Sequence, residues 1–265
     1  FERFDRHLDK LTRSAEQAAV EYVSICSPNY LHDAHVRFAL RAGADAICEK
    51  PLVLNPWNID GLKEIERSTG NKVNTILQLR LHPEIIKLKE RVAGQTATKS
   101  DVDLTYITSR GSWYLTSWKG DEKKSGGIAT NIGVHFYDML HFVFGEVQEN
   151  IVHFKSETTA AGYLEFEFAR VRWFLSIDRE NLPKGRGDAE NSQSTYRSIT
   201  VNGEEIEFSS GFTDLHTVSY SKILSGEGFG LDENLTAIQI VSDIRMAEIK
   251  TAYGEVHPLI SEGLK

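Results

Sequence analysis

Cysteine is nearly absent from this chain: 265 residues hold only Cys26 and Cys48. Both lie in short apolar runs that read as buried strands, so no disulfide framework is expected and a reducing compartment, the cytoplasm by default, is favoured. Long apolar runs are missing too. No stretch approaches the ~18–20 residues of a membrane helix, and no signal-peptide pattern stands at the start. Basic charge is in deficit, with 30 Lys and Arg against 38 Asp and Glu and a formal net charge of -8. Non-specific nucleic-acid binding needs clustered cations and fits this balance poorly. There is no internal repeat and no low-complexity tract. Glycine is scarce at the start: the first is Gly43. A dinucleotide-binding sheet normally opens with a strand, a Gly-x-Gly-x-x-Gly turn and an acid about 20 positions later. No such turn precedes Val20.

What is present is 40% hydrophobic residues, enough for one large or two modest domains. Phe1 to Arg13 has Phe1, Phe4, Leu8 and Leu11 at helical spacing. Val20 to Ser27 is a short β-rich run stopped by Pro28-Asn29. Leu31 to Ala42 reads as a helix with Leu31, Ala34, Phe38 and Ala42 on one stripe, ended by Gly43. Ala44 to Cys48 is a second apolar strand running into Glu49-Lys50-Pro51. Trp57 to Thr69 reads as a helix closed by Gly70, and Lys72 to Leu77 as a third strand. Strand, helix, strand, helix, strand with short connections argues for a parallel sheet with right-handed crossovers. Ligands bind such sheets outside the carboxyl ends of the strands. Ser27-Pro28-Asn29, Glu49-Lys50-Pro51 and Gln78-Leu79-Arg80 all fall at that edge.

Beyond His82-Pro83 a helix runs to about Val92, and then the period changes. Asp101 to Thr108, Glu149 to Glu157, Ala161 to Phe168, Val171 to Asp178 and Ser198 to Phe208 alternate as half-buried strands do, the last with a turn at Asn202-Gly203. They predict a mostly antiparallel sheet in a second domain. Leu182 to Gln193 is polar and Gly-rich, and reads as a mobile connection. Gly211 to Leu224 and Leu231 to Ala252 look helical, the latter with Leu235, Ile238, Val241, Ile244 and Ile249 on its apolar stripe. The fold class is therefore α/β: an incomplete parallel sheet of the dinucleotide-binding type over residues 1–80, and an α+β domain with a large, open, mostly antiparallel sheet over 81–265.

Between these strands lies the stretch that carries the chemistry, Gly126-Gly127 to His135 and Asp138. A Gly-Gly turn feeds a helix on which Asn131 and His135 share one face, and His135 and Asp138 can touch. Val134, Met139, Leu140 and Phe144 read as core contacts. A His at a helix start, between an amide and a carboxylate, suits proton transfer; the other reading is a buried His satisfied by its neighbours. Lys50, held extended by Pro51, can hydrogen-bond a substrate hydroxyl and stabilise alkoxide charge, or be a solvated loop Lys. Arg80, Arg110, Lys119 and Arg197 are candidate anchors for a carboxylate or phosphate, Arg through a bidentate fork. Trp113 and Trp118 are either core or stacking platforms for a flat ring. His32 and His35 have His-x-x-His spacing but no third ligand nearby, so no metal is expected.

Ser27-Pro28-Asn29-x-x-His32, Glu49-Lys50-Pro51 and Gly126-Gly127 to His135-x-x-Asp138, in this order and spacing, resemble the glucose–fructose oxidoreductase / inositol dehydrogenase / MocA family of NAD(P)-dependent sugar dehydrogenases. Gln78 to Pro83, Arg110 to Tyr114, Ser117 to Gly120, Asn131 to His135 and Gly211 to His216 are similar to its sugar-nucleotide branch, which oxidises the C3 hydroxyl of UDP-N-acetylglucosaminuronate for bacterial surface polysaccharides. The resemblance implies a Rossmann domain followed by an α/β domain, assembled as a homodimer or homotetramer through the sheets. It implies Lys50 and His135 as catalytic residues, with Arg80, Arg110, Lys119 and Asn131 on a UDP-linked sugar acid. Ser27, Pro28, Asn29, His32, Glu49, Pro51, Gln78 and Trp118 would line NAD, or NADP. Two departures stand out. Asn131 replaces the family's Asp, which leaves His135 a slightly weaker base. The glycine turn is missing, so residues 1–265 alone are expected to bind NAD weakly. The alternatives are a non-catalytic sugar-nucleotide binding or scaffold protein, and a family member acting on an inositol or a free sugar.

Overall fold

The computed structural model describes residues 2–13, 20–94, 98–183, 194–206, 214–251, 254–261 and 263. The elements run α1 (Glu2–Arg13), β1 (Tyr22–Ile25), α2 (His32–Arg41), β2 (Asp45–Cys48), α3 (Trp57–Thr69), β3 (Val73–Thr75) and α4 (Pro83–Ala93). Then come β4 (Ser100–Thr108), α5 (Trp113–Thr116), α6 (Glu122–Ser125), α7 (Val134–Phe144), β5 (Val147–Lys155), β6 (Thr159–Phe166) and β7 (Ala169–Ser176). The last are β8 (Thr195–Val201), β9 (Glu204–Glu205), α8 (Leu215–Leu224), α9 (Leu231–Met246) and α10 (Pro258–Ser261).

Among the described residues the first sheet is parallel, β1-β2-β3. Its two crossover helices are those the glycine punctuation predicts: α3 ends at Gly70 in the left-handed region, with φ +80°, and α2 ends just before Gly43, with φ +86°. The stripe of α2 is corrected. Ala34 is exposed, and the buried face is His32, Val36, Ala39 and Leu40, an i, i+4, i+7, i+8 stripe neighbouring the one read from the sequence. Cys48 is buried, but Cys26 lies past the end of β1 and is exposed; both thiols are free.

The second sheet has the order β5-β6-β7-β4-β8-β9. All its pairings are antiparallel except β4 with β7. One face is covered by α7, an almost wholly apolar helix with Val134, Phe136, Tyr137, Met139, Leu140, Val143 and Phe144 buried. Tyr137 meets the fully buried Trp173 of β7 edge to face, centroids 5.5 Å apart at 82°, a preferred aromatic geometry. The chain passes between the two sheets in the turn Gln78–Leu81. It later returns: Thr75 N donates to Phe229 O at 2.8 Å, and Asn234 Nδ2 donates to Thr75 Oγ1 at 3.0 Å.

Helix α9 stops at Met246 rather than at 252. Ala247 is extended, with φ -66° and ψ 144°, and Lys250 N then donates to Val152 O, so this segment lies along β5. Ile238, Val241 and Ile244 form the buried stripe, whereas Leu235 and Ile249 are largely exposed. Helix α8 covers the described part of its predicted span. Gly211–Thr213 and Phe208 lie outside the described residues, as does most of the stretch from Leu182 to Gln193. No helix among the described residues is long and apolar enough to cross a membrane.

The sheet's second face is crossed by the segment carrying α10. His257, 2% exposed, stacks on Phe174 with centroids 5.5 Å apart. Its Nδ1 accepts from Leu259 N at 3.2 Å, so its Nε2 carries the proton toward Thr105 Oγ1 at 3.1 Å. Burial, then the Arg172 charge, pulls its pKa from 6.5 down to about 4. The folded state therefore prefers neutral His257, and its contribution is complete above pH 6.5 and lost as pH falls toward 4. We expect the loss to reach about 3 kcal/mol. Urea unfolding between pH 7 and pH 4 should show it in the wild type and not in His257→Gln; equal slopes in the two proteins would refute it.

Candidate active site

Two left-handed glycines build the site. Gly126 ends α6 with φ +82°, and Gly127 follows with φ +77°. A Cβ on Gly126 would come within 2.6 Å of the Thr130 side chain, so the reversal is closed to larger residues. The chain then winds as a π-helical turn, Ala129–Gly133, before α7. π-Turns accompany functional sites because they redirect side chains within a helix. Here the turn and the first residues of α7 face the carboxyl ends of β2 and β3.

Lys50, Gln78, Leu79, Tyr106, Arg110, Tyr114, Lys119, Asn131, Ile132, His135, Phe136 and Arg197 line one cavity of about 220 Å³. Lys50, Gln78, Arg110, Lys119, Asn131 and His135, six of the residues predicted from the sequence, are thus brought together. Lys50 and His135 are both half-buried at its wall. Lys50 Nζ donates to Asn131 O at 3.3 Å. Burial, with the charges of Lys119 and Arg110, outweighs the opposing pull of Glu49 and lowers the Lys50 pKa to about 8. Burial, then the charges of Lys50, Arg197 and His216, holds His135 well below its ordinary 6.5. At neutral pH the pair is therefore a neutral imidazole beside an ammonium.

Asn131 is oriented from both ends. Its Oδ1 accepts from Asn29 Nδ2 at 3.3 Å, and its Nδ2 donates to Tyr114 Oη at 2.5 Å. Asn29 also donates to Ser125 O at 2.9 Å, fastening the first strand-end loop to α6. His32 ties that loop to the second, its ring nitrogens each 2.7 Å from a carbonyl oxygen, of Pro51 and of Ser27. His35 Nδ1 lies 2.8 Å from Ser27 Oγ, so the His-x-x-His pair is engaged separately. No group of three or more His, Cys, Asp or Glu residues placed to hold a metal occurs among the described residues. Glu49 Oε1 lies 3.3 Å from His216 Nε2.

Arg80 is corrected: it stands outside the cavity. It is 6% exposed and closes a bidentate pair with Asp138, Nη2 to Oδ1 2.7 Å and Nε to Oδ2 3.0 Å. Asp138 thereby faces Arg80 rather than His135. Ser27, Pro28, Asn29, His32, Glu49, Pro51 and Trp118 are not in the cavity wall either; the first six form the strand-end edge beside it. Trp118 is half-buried, its ring 5.6 Å from Lys119 Nζ.

Tyr106 and Tyr114 are given no role by the sequence, whereas Arg197, one of its candidate anchors, does line the cavity. Tyr106 and Arg197 are opposite partners on β4 and β8, with the guanidinium 5.4 Å from the ring centroid. Only the strand register could have joined them.

The family description "Oxidoreductase family, C-terminal alpha/beta domain" matches residues 97–252, and "Oxidoreductase family, NAD-binding Rossmann fold" matches residues 3–76. The chain belongs to the GFO/IDH/MocA oxidoreductase family. It is 50% identical to the WlbA (WbpB) dehydrogenase from Thermus thermophilus solved with NAD and UDP-GlcNAcA, over 97% of this chain and 82% of that one, with a TM-score of 0.90. The same enzyme solved with NAD and α-ketoglutarate gives 51% identity, the same coverage and a TM-score of 0.91. Among curated relatives, the myo-inositol 2-dehydrogenase of Thermotoga maritima is 30% identical over 51% of this chain and 40% of its own length. The chain spans less than half the length of the curated relatives it matches.

The family's dinucleotide meets these residues in part. The 265 residues hold no Gly-x-Gly-x-x-Gly turn for a pyrophosphate. The reacting end is better served: Gln78 Oε1 lies buried in the cavity wall with no hydrogen-bond partner among the described residues. An unpaired buried acceptor is costly, and a carboxamide N–H is the type of donor that would satisfy it.

Proposed function

We propose that the complete protein oxidises the C3 hydroxyl of UDP-N-acetylglucosaminuronate, with NAD as the hydride acceptor. The observation that carries this reading is the convergence of Lys50 and His135, distant in the chain, on one cavity that also holds Arg110, Lys119 and Arg197. Although the net charge of the chain is -8, four cations, Lys50, Arg110, Lys119 and Arg197, line this cavity, which suits an anionic substrate. The likeness to the Thermus thermophilus enzyme bound to UDP-GlcNAcA supports the same class.

Neutral His135 takes the hydroxyl proton. The Lys50 ammonium hydrogen-bonds the same oxygen and offsets the negative charge that develops there. Bound NAD supplies the hydride-accepting chemistry. Gln78 would hold its reacting end, with Ser27, Pro28, Asn29, His32, Glu49 and Pro51 as the adjoining edge and Trp118 nearby. Arg110, Lys119 and Asn131 would hold the sugar and its carboxylate. NADP is the alternative acceptor, because the acid that reads the ribose is not among these residues. We place the enzyme in the cytoplasm as a homodimer or homotetramer.

Mixing the complete gene product with NAD and UDP-N-acetylglucosaminuronate should raise the absorbance of reduced nicotinamide, and UDP alone should inhibit it. No signal would remove this reading in favour of a binding or scaffold protein. A signal that UDP fails to inhibit would favour an inositol or free-sugar substrate.

A further inference from the structure

Tyr114 is a second cavity residue, beside Gln78, whose hydrogen bonding is only half-specified. Its side chain is 2% exposed, on the short helix α5, and it lines the same cavity as Lys50, Arg110 and Lys119. The orientation of the Asn131 amide is dictated from the far side. Asn29 Nδ2 also donates to Ser125 O and can only donate, so Asn131 must present Oδ1 to it and Nδ2 to Tyr114. The phenol oxygen therefore accepts at 2.5 Å. An accepting phenol keeps its own O–H to give, and no acceptor for that proton is found among the described residues. A buried donor without a partner is disfavoured by ~1–3 kcal/mol, so a persistent one at a ligand cavity points to a ligand acceptor.

The surroundings define that acceptor. Arg110 is close enough to Tyr114 and to Lys119 for its charge to act on both groups, and Lys119 Nζ faces the Trp113 ring at 5.3 Å. An O–H within reach of a guanidinium charge, in a cavity that an ammonium also lines, favours a negatively charged oxygen over a hydroxyl. Burial keeps the phenol protonated and raises its pKa, so it stays a donor across the working pH range.

We propose that Tyr114 donates its hydroxyl proton to the carboxylate of the substrate, and that with Arg110 and Lys119 it makes the enzyme select a sugar acid over the uncharged sugar. This rests on the function proposed above and adds a specificity-determining residue to it. Asn29 and Asn131 act as positioning residues, fixing which lone pair of the phenol is used.

The test compares UDP-N-acetylglucosaminuronate with UDP-N-acetylglucosamine, in the complete gene product with NAD and by calorimetric titration without it. Tyr114→Phe keeps the ring and removes only the donor. The wild type should prefer the acid, and the acid-over-uncharged ratio of kcat/KM, and of affinity, should fall about 10- to 100-fold in Tyr114→Phe. The change should fall on KM rather than kcat, and an unaltered thermal midpoint would show an intact fold. Equal losses on both ligands would make Tyr114 merely structural and overturn the proposal, as would an unchanged ratio. A wild type that does not oxidise the acid overturns the function itself. A wild type that does, beside a Tyr114→Phe protein of unchanged selectivity, overturns only the role of Tyr114.

Discussion

Lys50→Met is expected to lower kcat of the complete enzyme about 100- to 1,000-fold, the usual cost of removing one donor from a developing oxyanion. His135→Asn is expected to lower it about 100- to 10,000-fold, the range for a general base. The double variant should be little worse than the poorer single one, because the two groups act on the same oxygen and their losses do not add. The pH profile separates their roles. His135 is held well below 6.5, by burial first, so it remains a neutral base at neutral and alkaline pH. Lys50 loses its proton near 8, and its donor charge goes with it. The wild-type kcat/KM should thus decline as pH rises through about 8, and that limb should vanish in Lys50→Met. A rate that instead rises through pH 8 would make Lys50 the base and reverse the assignment. Undiminished turnover in both single variants would remove both residues from the chemistry.

How far the sequence announced this site follows from the range of the interactions involved. Lys50 was legible because a strand, a polar tip and a proline are contiguous, and the edge of a parallel sheet follows from short-range alternation alone. The Gly126-Gly127 reversal was legible because only glycine adopts two successive left-handed conformations cheaply. Helix α3 with its Gly70 cap was legible for the same local reason. The antiparallel sheet was legible in its elements but not in its order. No local signal puts β4 beside both β7 and β8, and so none pairs Tyr106 with Arg197. Tyr114 was hidden in a different way: its role comes from a chain of hydrogen bonds through Asn29 and Asn131, whose residues lie in three separate segments. The end of α9 was misread because Ile249 continues a helical stripe in sequence while the chain at Ala247 turns to lie along β5. Arg80 was misread because an Arg at a strand tip has the same local signature whether it faces a ligand or a buried acid.

That buried acid gives the largest expected effect on stability. Arg80 and Asp138 are 6% and 1% exposed and bound through both nitrogens of the fork. Arg80 Nη2 also donates to Glu233 O at 2.9 Å, and the guanidinium lies 5.2 Å from the ring centroids of both Phe142 and Phe229. The pair therefore joins the turn after β3 to α7 and α9, one helical turn beyond His135. Removing one partner leaves an uncompensated charge where water does not reach. Arg80→Met and Asp138→Leu should each cost about 3–5 kcal/mol. The double variant should cost clearly less than the sum of the two, since it leaves no orphan charge and fills the space with apolar atoms. Equilibrium urea unfolding of the three proteins reads the cycle directly, and single losses below about 1 kcal/mol, in the range of an exposed ion pair, would contradict the burial on which it depends. The stable double variant then gives a second reading. With the fold intact but the rigid fork gone, α7 has lost the polar anchor that fixes its rotation about its own axis. Turnover should accordingly fall in the double variant while unfolding free energy largely recovers, because His135 needs its geometry more than the protein needs the charge.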